Sequence, residues 1–62
     1  MLNMAKILDA HMVELDWICV VFKDYQGNTC TQYFQDLDDL QLKYDASTAN
    51  DVRNLLAANL GD

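Results

Sequence analysis

VELDWICVVFKDYQGNTCTQYFQ, Val13 to Gln35, decides how this chain folds. Its first half is dense in β-branched and aromatic residues, its second half alternates polar with apolar, and DYQGN between them is a turn signal. The pattern predicts a β-hairpin with strands over roughly Leu15–Lys23 and Asn28–Gln35. The turn falls at Tyr25–Asn28, where Gly27 supplies a positive φ. If Asp24 stands opposite Thr29, then Trp17, Cys19 and Val21 share a face with Cys30, Gln32 and Phe34. Ile18, Val20, Phe22 and Tyr33 take the other face. Both faces are then substantially apolar, more than one helix can cover, which points to a subunit interface. In that register Cys30 faces Lys23, four residues along the strand from Cys19. At ~3.4 Å per residue that exceeds the ~7 Å Cα separation a disulfide can bridge. Both cysteines therefore read as core or interface hydrophobes.

The flanks are read outward from this hairpin. Residues 1–12 carry Leu2, Met4, Ile7, Leu8 and Met12 at loosely helical spacing, with Ala5 and Ala10 as helix formers. They are expected to form an N-terminal arm or a short helix. The His11-Met12 pair resembles a cloning junction, which would make part of this segment foreign to a single α+β domain over residues 13–62. Beyond the hairpin, Leu40, Leu42 and Tyr44 alternate with Gln41 and Lys43, which predicts a short third strand after a bend at Asp36–Asp39. The competing reading is a helical turn capped by Asp36 or Asp38. The last segment predicts a helix: Ser47 or Thr48 as N-cap, Asp51 in the first turn, and Val52, Leu55, Leu56 and Leu60 as one apolar stripe, with Gly61 as the stop. The expected fold class is α+β: a small antiparallel sheet, hairpin plus short third strand, packed against a C-terminal helix and dimeric.

Composition narrows the function. A chain of 62 residues buries only ~60 % of its unfolded surface, yet 52 % of its residues are hydrophobic. A homodimer is the simplest way to cover the surplus. Ten acids oppose four bases, giving a net charge of −6. Phosphates demand clustered Lys and Arg, so direct nucleic-acid binding and anionic membranes are disfavoured. A basic protein surface is the natural partner, although such a charge also serves plain solubility. The start lacks the pattern of a signal peptide, and no apolar run reaches the ~20 residues of a membrane span. The expected location is the cytoplasm, the host bacterial cytoplasm if the chain is phage-encoded.

Catalysis is the weakest expectation. His11 stands alone, two glycines make no phosphate loop, and Asp36, Asp38 and Asp39 lack the glycine and the terminal Glu of a calcium loop. So small a body is not expected to enclose a pocket of several hundred Å³. No enzyme activity, cofactor or metal is expected. Binding is better supported: in FQDLDDLQLKYD, Phe34–Asp45, acids surround leucines, with Tyr25, Tyr33 and Tyr44 within or beside the acidic half. Aromatic anchors rimmed by charge are what interface hot spots look like. The alternative is that Tyr33 and Tyr44 pack under the last helix.

From Asp16 to Leu60 the sequence resembles a family of very small acidic proteins, the uracil-DNA glycosylase inhibitors of phi29-like Bacillus phages. The resemblance rests on DWICVVF, the turn KDYQG, the tyrosine-bearing TQYF, then DDLQLKY, and STANDVRNLL opening the last helix. It implies a DNA-mimic homodimer whose carboxylates occupy the enzyme's DNA-binding cleft. An apolar patch in those proteins receives the leucine that the enzyme pushes into the base stack. Glycosylases extrude their base by flipping it, so sequestering that wedge blocks binding without touching chemistry. In the family the patch holds an aromatic residue followed by Glu, with a tyrosine four positions after the aromatic. The matching positions are Leu40, Gln41 and Tyr44, of which only the tyrosine is kept; a small gap near Leu37 leaves Leu42 as the alternative apolar contact. Asp24, Asp36, Asp38, Asp39 and Asp45 would supply the negative charge, with Tyr33 beside them. Two other readings stand: a DNA mimic aimed at another DNA-binding enzyme, such as a restriction or CRISPR effector, and a small dimeric interaction module without mimicry.

Overall fold

Strands β2 (Ile18–Lys23) and β3 (Thr29–Phe34) form the expected hairpin, but one residue out of the expected register. The computed structural model describes residues 4–60. In it Lys23 pairs with Thr29, Phe22 with Cys30 and Ile18 with Phe34. The loop explains the slip. The Asp24 carboxylate accepts hydrogen bonds from the backbone N–H of Gln26 and of Asn28, both at 2.9 Å, and Asp24 N–H donates to the Asn28 carbonyl. Asp24 and Asn28 thus close the loop on each other, with Gly27 at φ 86° inside it, and Asp24 is not available to face Thr29.

A one-residue slip exchanges the faces of one strand relative to the other. Ile18, Val20 and Phe22, not Trp17, Cys19 and Val21, share a face with Cys30, Gln32 and Phe34. This is the face the helices cover: Ile18, Val20, Phe22 and Phe34 are buried there. The opposite face presents Cys19, Val21, Thr31 and Tyr33. Cys19 and Cys30 lie on different faces and both are free thiols.

The third strand comes from the other end of the chain. Lys6–Met12 is strand β1, antiparallel to β2, and the sheet order is β1-β2-β3. The expected arm or short helix over residues 1–12 is therefore corrected over Lys6–Met12: the segment is part of the domain, and its Ala10 is wholly buried. The reason is a bulge. The pairing shifts at Leu8, so Ile7 faces Phe22 but Ala10, three residues on, faces Val20. One extra residue in a strand turns an alternation of two into a spacing of three, which reads as helical.

The expected strand at Leu40–Tyr44 is likewise corrected. Leu37–Lys43 is helix α1, with Asp36 as its N-cap, the competing reading of the same run. The Asp36 carboxylate accepts from Asp39 N–H at 2.8 Å, and the Asp39 carboxylate reaches back to Gln35 N–H at 3.3 Å. This reciprocal arrangement satisfies backbone donors left open at a helix start. Leu37, Leu40 and Tyr44, at i, i+3 and i+7, give α1 a side to bury.

Helix α2 spans Ala46–Leu60. Its cap is Asp45, not Ser47 or Thr48: the Asp45 carboxylate accepts from Thr48 N–H at 2.7 Å. Val52 and Leu56 are buried and Leu55 half-buried, as the stripe requires of them, while the Leu60 side chain and Gly61 lie outside what is described. Together α1 and α2 close one core around Phe22, Phe34, Leu40, Val20 and Val52, all fully buried. The molecule is thus α+β, a three-stranded antiparallel sheet packed with two helices.

Candidate protein-binding surface

Helix α1 carries most of the acid–leucine run, and helical geometry sorts that run by direction. At about 100° per residue, Leu40 and Leu42 point to nearly opposite sides. Leu40 is 0 % exposed and belongs to the core; Leu42 is 86 % exposed. Of the two alternative apolar contacts, Leu40 is therefore ruled out, since it has no surface to offer, and Leu42 is exposed. Gln41 and Asp38 are exposed beside Leu42, and the three line a shallow hollow.

The tyrosines separate as well. Tyr44 is half-buried at the end of α1; its hydroxyl donates to Gln32 Oε1 at 2.7 Å, and its ring meets Phe34 edge-on at 5.9 Å. Burial pushes the Tyr44 hydroxyl pKa up, with Cys30 adding to the effect. Tyr44 therefore ties the end of α1 to β3 and packs against the core that α2 helps form. Tyr33 is 55 % exposed and sits on the sheet face away from the helices, opposite Cys19.

Four of the five candidate carboxylates hold local backbone. Asp36 caps α1, Asp39 braces the residue before it, Asp45 caps α2 and Asp24 ties the hairpin loop. A carboxylate offers about four acceptor sites, so each retains capacity for an incoming cation. The Asp45 carboxyl is held below its ordinary pKa by the Thr48 N–H, and the Asp24 carboxyl chiefly by the Asn28 N–H. The one base in the run, Lys43, is engaged: its Nζ lies 3.3 Å from Asp39 and 5.7 Å from the Phe34 ring centre. Asp36, Asp38, Asp39, Gln41 and Leu42 are thus brought together on α1, with Asp45 at its far end. Asp24 is at the other end of β3, and Tyr33 is on the other face.

Two further features draw in residues not singled out for binding from sequence. His11 sits in β1 with Nδ1 2.9 Å from Asp9 Oδ2, and Asn59 of α2 donates to Asp9 and to the Ala10 carbonyl. The His11 hydrogen bond is the main reason the Asp9 carboxyl titrates below its usual range. The second is an open groove of about 460 Å³ where the β1–β2 loop meets the start of α1, a surface hollow and not an enclosed pocket. Met12, Ile18, Leu37 and Leu56 form its apolar part, and Asp16, Asp36, Asp38 and Arg53 its polar part. Four separate segments supply it, so no local pattern announces it. One mark of the region is the backbone at Leu15 and Asp16, with φ 63° and 61°, where non-glycine residues are uncommon.

Among the described residues no group of three or more His, Cys, Asp or Glu is placed to hold a metal, and no helix is long and apolar enough to cross a membrane. The arrangement presents acids and an exposed leucine on the outward side of α1. No protein-family profile matches the chain, and neither a curated protein nor a solved structure does.

Proposed function

We propose that this protein inhibits uracil-DNA glycosylase by occupying the enzyme's basic DNA-binding cleft, without catalysis of its own, in the bacterial cytoplasm. The observation that carries the reading is the outward side of α1. Leu42 stands 86 % exposed, one turn of α1 beyond Asp38 and three residues beyond Asp39, with Asp36 at the N-cap, on a chain of net charge −6. The carboxylates take the place of DNA phosphates, and Leu42 rather than Leu40 meets the apolar side chain that the enzyme inserts into DNA. Charge complementarity speeds the encounter, and the desolvated apolar contact slows release.

The active form is a homodimer. The sheet face without helices leaves Tyr33 and Thr31 exposed and Val21 half-buried, and a second copy is the simplest cover for it. Reach also favours a pair. One chain measures 31 Å in its longest dimension, less than the ~34–36 Å of one duplex turn. Sedimentation at low micromolar concentration should show twice the chain mass. A single-chain mass would remove the dimer from the account.

The test of function is uracil excision by a bacterial glycosylase. Near-equimolar protein should abolish it, and Leu42→Asp should weaken inhibition about tenfold, or ~1.4 kcal/mol, with the fold intact. The burial of Leu40 favours one second reading: carboxylates alone, directed at another DNA-binding enzyme such as a restriction or CRISPR effector. Uracil excision that proceeds at full rate in the presence of the protein would favour that reading.

A further inference from the structure

The groove between the β1–β2 loop and α1 has the composition of a site for an amphipathic cation. Its apolar part, Met12, Ile18, Leu37 and Leu56, matches a side-chain stem; its carboxylates, Asp16, Asp36 and Asp38, match a charged head. At about 460 Å³ it is large enough for a single long side chain. We infer that this groove receives an arginine side chain from a basic protein partner, and that the chain's own Arg53 competes with it for the rim carboxylates. The inference rests on the reading that the chain binds a basic protein surface, but not on which enzyme bears that surface.

Arginine fits better than lysine for a physical reason. Long basic side chains lay their methylene stems along apolar surface while the head stays polar. The planar guanidinium, with its forked donors, can bridge two carboxylates, which a compact ammonium does less well. Asp16 comes from the β1–β2 loop, whereas Asp36 and Asp38 come from the start of α1, so the acceptors are supplied by two separate segments. Asp36 already serves Asp39 N–H through one oxygen and keeps the other free.

Arg53 makes the proposal sharp. It lines the same groove from α2, yet the ion pairs among the described residues are His11–Asp9 and Lys43–Asp39. Arg53 is therefore the same chemistry held at the rim without being locked to a rim carboxylate. It lowers the local negative potential that an incoming guanidinium would meet.

The probe is N-acetyl-arginine amide, titrated at low ionic strength into the isotope-labelled full chain and followed by NMR. The methyl signals of Met12, Ile18, Leu37 and Leu56 should move most, and N-acetyl-lysine amide should bind several-fold more weakly. Arg53→Ala should tighten arginine binding several-fold. The Asp16→Asn, Asp38→Asn pair should weaken it at least as much; asparagine suits the left-handed backbone at position 16, so the fold is kept. Shifts no larger in the groove than around Asp24 and Asp51 would overturn the inference, as would binding that Arg53→Ala leaves unchanged or weakens. Full inhibition of uracil excision alongside such a negative result would sink the groove and leave the proposed function standing. Groove binding without inhibition would do the reverse.

Discussion

Leu40 and Leu42 are two residues apart in one short helix, and they belong to different parts of the molecule. The inner side of α1, with Leu37 and Leu40, helps close the core over Phe34 and Val52. The outer side carries Leu42, Gln41 and Asp38 into solvent. In a strand the two leucines would share a face; in a helix they part. The comparison teaches that an acid–leucine run can hold a folding element and a contact surface at once, and that the register of turns, not composition, assigns each leucine to one or the other.

The largest expected effect breaks the inner side. Leu40→Ala removes a fully buried side chain and should cost about 2–5 kcal/mol, measured by urea denaturation. In so small a domain that leaves much of the population unfolded at room temperature. A loss below 1 kcal/mol would mean α1 does not pack as described. Next, Asp36→Ala removes the N-cap bond to Asp39 and should cost ~1 kcal/mol while leaving Leu42 where it is.

Acid sharpens the same contrast through charge. The Asp45, Asp24 and Asp9 carboxyls all titrate below their ordinary 3.8 in the folded chain. Their stabilisation is therefore present above that value and is lost as pH falls through the lowered folded values. The thermal midpoint should hold near neutral pH and decline below about pH 4. Asp45→Asn keeps a capping acceptor but removes one titrating group, so its acid decline should be shallower than that of the native chain. An equal decline would show that the α2 cap does not depend on charge. The smallest effect is the mirror of the first: Leu42→Ala should change stability by less than ~0.5 kcal/mol. A larger loss would mean that Leu42 is covered, by a second copy for example, when the protein is free.

Legibility in the sequence followed the same division. The α2 stripe was plain because Val52, Leu55 and Leu56 recur at one clean period over a long helix. The hairpin was plain in kind but not in register, because the Asp24–Asn28 closure depends on side-chain bonds to the loop backbone. Strand β1 was hidden by its bulge at Leu8, which erased the alternation that identifies strands. At α1 the five residues Leu40–Tyr44 satisfied both periods, and only the cap at Asp36 separates them. For the surface, the acids and Leu42 could be found by inspection. Leu40 could not be excluded, since burial is decided by β3 and α2, and the groove needs segments up to forty-four residues apart, Met12 to Leu56.

The most direct measurement is uracil excision from DNA by a bacterial uracil-DNA glycosylase with this protein added at one to two chains per enzyme. The account predicts that excision stops for the native protein and that Leu42→Asp needs about tenfold more protein for the same inhibition. Full excision in the presence of the folded native protein would contradict it.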